Sequence, residues 1–305
     1  MIESAPFHGI IAAPHTPMHP DGRLNLDVVE RQAAHFKQTG VIGAFIGGTT
    51  GESLSLSQTE RLQLCERWTQ IGPKYNLRII VHVGANCTSD ATELARAAQN
   101  GNAAAISAMA PSFFRPACAQ VLSDYCAEIA AAASQTPFYF YHIPCMTNVN
   151  LSMVDFLQVA QDQIPSLRGM KFTHQDLMQF QECVNLENGR FDVLHGFDEF
   201  YLSAMAVGAR GAVGSTYNFA AKMYNQMTDA FFAGEHEKAA KLQYQSVQMV
   251  RVLLKHGFAG SAKAVMGMIG IECGNVRSPL NPLSPEQIND IRTGLDNIGF
   301  FEWIK

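Results

Sequence analysis

With 305 residues, 47% of them hydrophobic and 16% charged, the chain has ample apolar material for a large core, which excludes a disordered protein and suits one barrel-sized domain with an appendage as well as two domains. The net charge is −5 and no two Lys or Arg residues are adjacent, so no basic stripe is offered to phosphates and nucleic acid is a poor partner. The first eight residues lack a basic region followed by an apolar core, and no run approaches the roughly 18 apolar residues of a membrane span, so a cytoplasmic protein with no membrane partner is expected.

Short β-like runs alternate with longer amphipathic segments along the chain. Residues 9–13 read as a first strand and 26–40 as a helix closed by Gly40. A strand at 43–46 precedes a helix at 57–72, where Ser57 and Glu60 have capping-box spacing, and a strand at 78–83. A helix at 89–100, a strand at 103–108 and a helix at 117–133 lead to Phe138-Tyr-Phe-Tyr-His142, a β-rich run. After these come a helix at 152–160, a strand ending at Lys171, a helix at 175–186, a strand at 191–195, a helix at 199–207 and a strand at 211–215.

Strict alternation argues for parallel strands with helical crossovers, and eight such units in about 230 residues fit a closed α/β barrel, the (β/α)8 TIM barrel, better than an open sheet. The rest is helical in pattern, at 235–256, 261–269 and 284–297, with no Pro- or Ser-rich linker before it. The expected organisation is a barrel over 1–220 that carries the active site, and a C-terminal helical extension over 221–305 that includes the barrel-closing helix.

Seven cysteines without C-x-x-C spacing suit reduced thiols better than a disulfide framework or a zinc site. Cys145 stands apart because it lies near Tyr141, although no basic residue adjoins it to activate a thiolate.

Barrel enzymes place their chemistry at the carboxyl ends of the strands and in the loops that follow. Lys171 closes a short apolar run and is followed at once by Phe172 and Thr173. A lysine there either simply reaches water or enters a desolvated pocket, where the neutral amine that attacks ketones is favoured. Other polar residues fall at equivalent ends: Thr49 and Thr50 after strand two, Tyr141 on strand five, Asp198 and Glu199 after strand seven, Ser215 on strand eight. Gly47-Gly-Thr-Thr-Gly-Glu52 lacks the lysine of a nucleotide P-loop; it is either a flexible turn or a cradle whose amides and hydroxyls hold a carboxylate. Asp198-Glu199, the only adjacent acidic pair, either complements a helix dipole or hydrogen-bonds a polyol. Tyr141 is either a core aromatic or a general acid/base.

Five ordered motifs together carry a resemblance: Gly47-Gly-Thr-Thr-Gly-Glu52, Tyr141-His-Ile-Pro144 with Thr147, Gly169-Met-Lys-Phe-Thr173, Gly196-Phe-Asp-Glu199 and Gly214-Ser-Thr-Tyr-Asn218. The chain resembles, from about Gly9 through the C-terminal helices, the family of class I aldolases that holds the N-acetylneuraminate lyases and dihydrodipicolinate synthases, and its last two motifs resemble the sialic acid lyase branch. The resemblance implies that Lys171 forms a Schiff base with the C2 ketone of open-chain N-acetylneuraminate, or with pyruvate in reverse. It implies that Thr49 and Thr50 hold the carboxylate, that Thr50 joins a proton relay, and that Tyr141 exchanges a proton with the C4 hydroxyl, directly or through the substrate carboxylate, as the C3–C4 bond breaks. Thr173, Gly196, Asp198, Glu199, Gly214 and Ser215 would line the sugar side. The iminium is the electron sink, so neither metal nor cofactor is implied, and a homotetramer is.

Synthases of this family have an arginine two residues after the proline of the tyrosine motif, where this chain has Met146. A neutral thioether cannot replace a bidentate guanidinium, so a synthase-like condensation becomes the lesser alternative, beside cleavage of another 2-keto-3-deoxy sugar acid. Asn148 stands where glycine is common in the family, and Phe113 and Phe114 lie where many relatives have a tyrosine directed at a neighbouring subunit. Asparagine tolerates a left-handed backbone better than other non-glycine residues. A metal-dependent hydrolase on the same barrel would instead draw on His82, His142 and His195, predicted on strands three, five and seven.

Overall fold

Eight parallel strands close on one another in chain order in the computed structural model, which describes residues 5–305. They are β1 (Gly9–Ala12), β2 (Gly43–Ile46), β3 (Arg78–His82), β4 (Ala105–Met109), β5 (Phe138–His142), β6 (Leu167–Phe172), β7 (Asp192–His195) and β8 (Gly211–Gly214). Pairing of β1 with β8, from Gly9 against Gly211 to Ala12 against Gly214, seals the barrel and leaves no sheet edge. Residues 1–4, part of the stretch read for an export signal, lie outside the described residues. Among the described residues no helix is long and apolar enough to cross a membrane.

The helices between strands are α1 (Val28–Gln38), α2 (Gln58–Ile71), α3 (Thr88–Asn100), α4 (Ala119–Ala131), α5 (Pro144–Thr147), α6 (Met153–Gln163), α7 (Leu177–Asn185) and α8 (Tyr201–Ala206). After β8 come α9 (Tyr217–Phe232), α10 (His236–Leu254), α11 (Phe258–Met268), α12 (Pro285–Asn297) and α13 (Phe300–Trp303). The capping box of α2 is formed in both directions: the Ser57 hydroxyl accepts from the Glu60 N–H, and a Glu60 carboxylate oxygen accepts from the Ser57 N–H at 2.8 Å.

Several boundaries differ from the predicted ones for local reasons. β4 starts two residues later because the Ala103 N–H still donates to the Ala98 carbonyl in the turn that ends α3. α11 starts at Phe258 because Gly257, at φ 89°, reverses the chain directly after α10. The acidic pair occupies a short 3-10 turn, Asp198–Phe200, ahead of α8. The single turn of α5 was not foreseen; it starts on a proline and ends on Asn148 in the left-handed conformation, φ 55°.

Two apolar clusters follow from the alternation of side chains along each strand. Ile10, Ala44, Val81, Phe140, Met170 and Val193 face the helices. Ile11, Phe45, Ile80, Tyr139, Tyr141, Leu194 and Val213 face inward and fill the barrel. Register places Tyr141 beside Lys171, and Lys171 beside Leu194, so the same alternation turns the lysine into the barrel.

Candidate active site

Lys171 is the penultimate residue of β6 and only 5% exposed. Its Nζ stands 4.3 Å from the centroid of the Tyr141 ring and 4.5 Å from that of Phe45, a seat between two aromatic faces. Among the described residues no carboxylate comes within 4.0 Å of it, so the amine is not held in an ion pair. It opens into a cavity of about 420 Å3 at the carboxyl end of the barrel, which Thr49, Thr50, Tyr141, Thr173, Gly196, Asp198, Glu199, Gly214 and Ser215 also line. All ten residues singled out in the sequence therefore meet in one place.

The 47–52 loop owes its shape to acceptors used on its outer side. His82 donates from Nδ1 to the Gly47 carbonyl at 2.9 Å, burial having pushed its pKa down to about 3 and kept the ring neutral. The Ser53 and Glu52 N–H groups donate to the Gly48 and Thr49 carbonyls, and the Thr16 hydroxyl donates to the Gly51 carbonyl at 2.6 Å. By contrast, the Thr49 and Thr50 N–H groups have no acceptor among the described residues, an arrangement suited to an anion. The Tyr141 hydroxyl is 3.2 Å from Thr49 Oγ1, whereas Thr50 Oγ1 is 2.6 Å from Ser215 Oγ. Thr49, rather than Thr50, is thus the hydroxyl beside the tyrosine.

The two carboxylates that line the cavity are unequal. Asp198 is buried, and its Oδ2 accepts from the Thr216 N–H at 2.8 Å and the Thr216 hydroxyl at 2.6 Å. Glu199 is half-buried and, among the described residues, accepts no hydrogen bond from another side chain. Burial raises both carboxyls above their ordinary range, and the neighbouring Asp198 raises Glu199 further. Gly214 is required by this packing, since a Cβ there would lie 1.8 Å from Asp198 Oδ1. A Cβ at Gly196 would lie 2.0 Å from Thr173 Oγ1, a buried hydroxyl without a partner that borders the cavity.

Sequence reasoning missed several wall residues. His15, buried just after β1, borders the cavity; burial and then the Lys263 charge push its pKa down to about 3. Val250, Leu254, Phe258 and Ala259 from the C-terminal helices, with Leu280 from the segment between α11 and α12, make an apolar wall. Nothing in their local pattern distinguishes them from other positions in the C-terminal segment; His82, named in the sequence as a possible metal ligand, instead holds the 47–52 loop.

Alternation also sorts the three strand histidines. His82 faces into the barrel, 5.7 Å from Tyr141 ring to ring, while His142 packs on Phe172 and His195 on Phe180 among the helices. They do not converge, and among the described residues no group of three or more His, Cys, Asp or Glu side chains is placed to hold a metal ion. A second cavity, of about 860 Å3, opens at the amino end beside Tyr139, Arg168 and Asp192, away from Lys171. Met146 and Cys145 are exposed at the rim of the lysine cavity, and Phe113 and Phe114, 75% and 83% exposed, pack edge to face in the loop after β4.

Comparison with known proteins agrees with this geometry. Residues 6–298 match the dihydrodipicolinate synthetase family. The N-acetylneuraminate lyase of Gallus gallus is 40% identical over 296 residues, covering 96% of this chain and 96% of that protein. The solved structure of the N-acetylneuraminate lyase (sialic acid aldolase) of Aliivibrio salmonicida superposes with a TM-score of 0.95 at 40% identity, covering 97% of this chain and 98% of that one. A dihydrodipicolinate synthase from Bacillus anthracis superposes with a TM-score of 0.89 at 27% identity, covering 97% and 99%.

Proposed function

The chain belongs to the dihydrodipicolinate synthetase family, and from that premise we propose that it is a carbon–carbon lyase that cleaves N-acetylneuraminate reversibly to pyruvate and N-acetylmannosamine. The observation that carries the reading is Lys171 Nζ seated against the Tyr141 ring in a cavity that Asp198 and Glu199 also line. An imine-forming amine, a phenol and polyol-binding carboxylates are the groups an aldolase acting on a sugar acid needs.

The neutral Lys171 amine attacks the C2 ketone, and with uptake of one proton water leaves, giving a protonated imine. The substrate carboxylate is received by the N–H groups and hydroxyls of Thr49 and Thr50. Tyr141 takes the C4 hydroxyl proton as the C3–C4 bond breaks, and the bonding electrons pass into the iminium as an enamine. Protonation of the enamine at C3 and hydrolysis release pyruvate and the free lysine. Thr49 passes the proton to or from Tyr141; Thr50 joins this relay only by leaving Ser215. Thr173, Gly196, Gly214 and Ser215 line the sugar, with Glu199 the carboxylate free to take its hydroxyls and Asp198 held by Thr216.

Exposed Met146, in the position of the synthase arginine, favours cleavage of a sialic acid over condensation with a second carboxylate-bearing substrate. The enzyme acts in the cytoplasm as a homotetramer, the exposed Phe113–Phe114 pair lying within an interface. Light scattering tests the assembly, and a monomeric mass would reject it. Borohydride reduction with pyruvate, followed by peptide mapping, tests the chemistry. An adduct on Lys171 together with release of pyruvate from N-acetylneuraminate is expected; absence of the adduct from folded protein would overturn the reading.

A further inference from the structure

The 47–52 loop ends on Glu52, a non-glycine residue at φ 56° and ψ 34°, in the left-handed conformation that L-residues avoid. Its carboxylate is 6% exposed by residue and turned away from the Lys171 cavity into the C-terminal helices. Oε1 stands 2.8 Å from Lys263 Nζ of α11, with both side chains 2% exposed. The contact is one of charge, since the aligned hydrogen bond of Lys263 goes to the Asn275 carbonyl at 2.8 Å. Oε2 accepts from the Arg277 N–H at 2.8 Å. The Arg277 side chain also grips the segment after the loop, donating to the Ser55 carbonyl at 3.0 Å and to Glu60 Oε2 at 2.8 Å. Within the loop, the Glu52 N–H donates to the Thr49 carbonyl, so the backbone that carries the carboxylate-binding threonines is coupled directly to the clamped residue.

We infer that the Glu52–Lys263 pair is a positioning device: the C-terminal extension, acting through Lys263, holds the threonine loop in the shape that binds the keto acid carboxylate. This deepens, and rests on, the aldolase reading of the same cavity. An ion pair this buried is costly to desolvate and is often no more stabilising than neutral residues of similar volume, so stability alone is a weak reason for its presence. A left-handed residue clamped from two sides, one bond removed from the threonines, supplies a functional reason. Lys263 and Glu52 do not line the Lys171 cavity, and the Glu52 backbone reaches it through Thr49.

The decisive variant is the double substitution Glu52→Gln with Lys263→Met, which removes both charges together and leaves neither buried alone. Pyruvate is titrated in borohydride trapping on Lys171, cleavage kinetics are measured, and thermal unfolding is recorded on the same preparations. The expected result is a folded protein whose half-saturating pyruvate concentration and KM both rise about tenfold or more, with kcat falling less than KM rises. A folded double variant with pyruvate affinity and KM within about twofold of the parent, whatever its melting temperature, would overturn the inference. Should the double variant not fold, Glu52→Asp keeps the charge and shortens the arm by one methylene. Raised KM at an unchanged melting temperature is then expected, and unchanged KM would overturn the proposal. Failure of the parent itself to trap pyruvate at any concentration would instead reject the aldolase reading, so the two failures are distinct.

Discussion

Tyr139 and Tyr141 lie two residues apart on β5, both turned into the barrel and both buried, yet they occupy different chemical worlds. The Tyr139 hydroxyl faces the amino end, where it donates to Asp192 Oδ2 at 2.8 Å, an oxygen that also accepts from the Phe7 N–H at 2.7 Å. Burial and then the Asp192 charge push its phenol far up, and burial raises Asp192 in turn. The Tyr141 hydroxyl meets a threonine hydroxyl in the cavity at the carboxyl end, and the Tyr141 ring lies 4.3 Å from the Lys171 amine. A phenol locked onto a half-buried carboxylate is a structural strut, whereas one whose partner is another hydroxyl is not tied to a fixed acceptor. The larger cavity is by Tyr139 and the smaller by Tyr141, and it is the smaller that Lys171, Asp198 and Glu199 border.

The contrast can be broken in graded steps. Replacing the amine, Lys171→Met, is expected to abolish both turnover and the borohydride-trapped adduct, as read by intact mass. Tyr141→Phe should still form the adduct while kcat for cleavage falls about 10²- to 10⁴-fold, the range for loss of a general acid/base. A Tyr141→Phe enzyme with parental kcat would return Tyr141 to the same class as Tyr139.

Gly214→Ala drives a Cβ against Asp198 Oδ1 and should raise KM for the sugar acid while leaving pyruvate trapping in place; the strain costs about 1–3 kcal/mol of stability. Tyr139→Phe should leave kcat near the parent value and cost about 1.5–3 kcal/mol in urea unfolding, because Asp192 loses a hydrogen bond to a charged group. Lost activity at intact stability would erase the distinction between the two tyrosines.

The smallest effect concerns the clamp around the loop. Side-chain hydrogen bonds from Arg277 hold the Glu60 carboxyl down to about 2, against an ordinary 4.5. A carboxyl that titrates lower in the folded than in the unfolded chain stabilises fully above about pH 4.5, and that stabilisation is lost as pH falls towards 2. Arg277→Gln should flatten the fall in melting temperature across that window. The pair is partly solvated, so the difference is modest and shrinks with added salt.

Much of this was legible along the chain. Alternating β-like and amphipathic segments sufficed for the barrel, because hydrophobic periodicity is a local property that each strand and helix must satisfy by itself. The residues after strand ends pointed to the cavity because parallel strands in a closed barrel all deliver their carboxyl ends to the same rim. Boundaries slipped where a single turn decided them, as at Ala103 and Gly257.

Pairing across the fold was not legible. The sequence by itself determined the (β/α)8 architecture and the gathering of Lys171, Tyr141, Thr49, Thr50, Asp198 and Glu199 at one end of it. Only the tertiary structure decided that Asp198 is held by Thr216 while Glu199 takes no side-chain hydrogen bond among the described residues, that Thr49 and not Thr50 faces Tyr141, and that His82 turns inward while His142 and His195 turn outward. It likewise decided that helices after the barrel wall the cavity and that Glu52 is gripped by residues such as Arg277, 225 positions away. Periodicity reports which face of an element is apolar, whereas partners so distant in sequence are brought together only by the closure of the barrel and the packing of the extension against it.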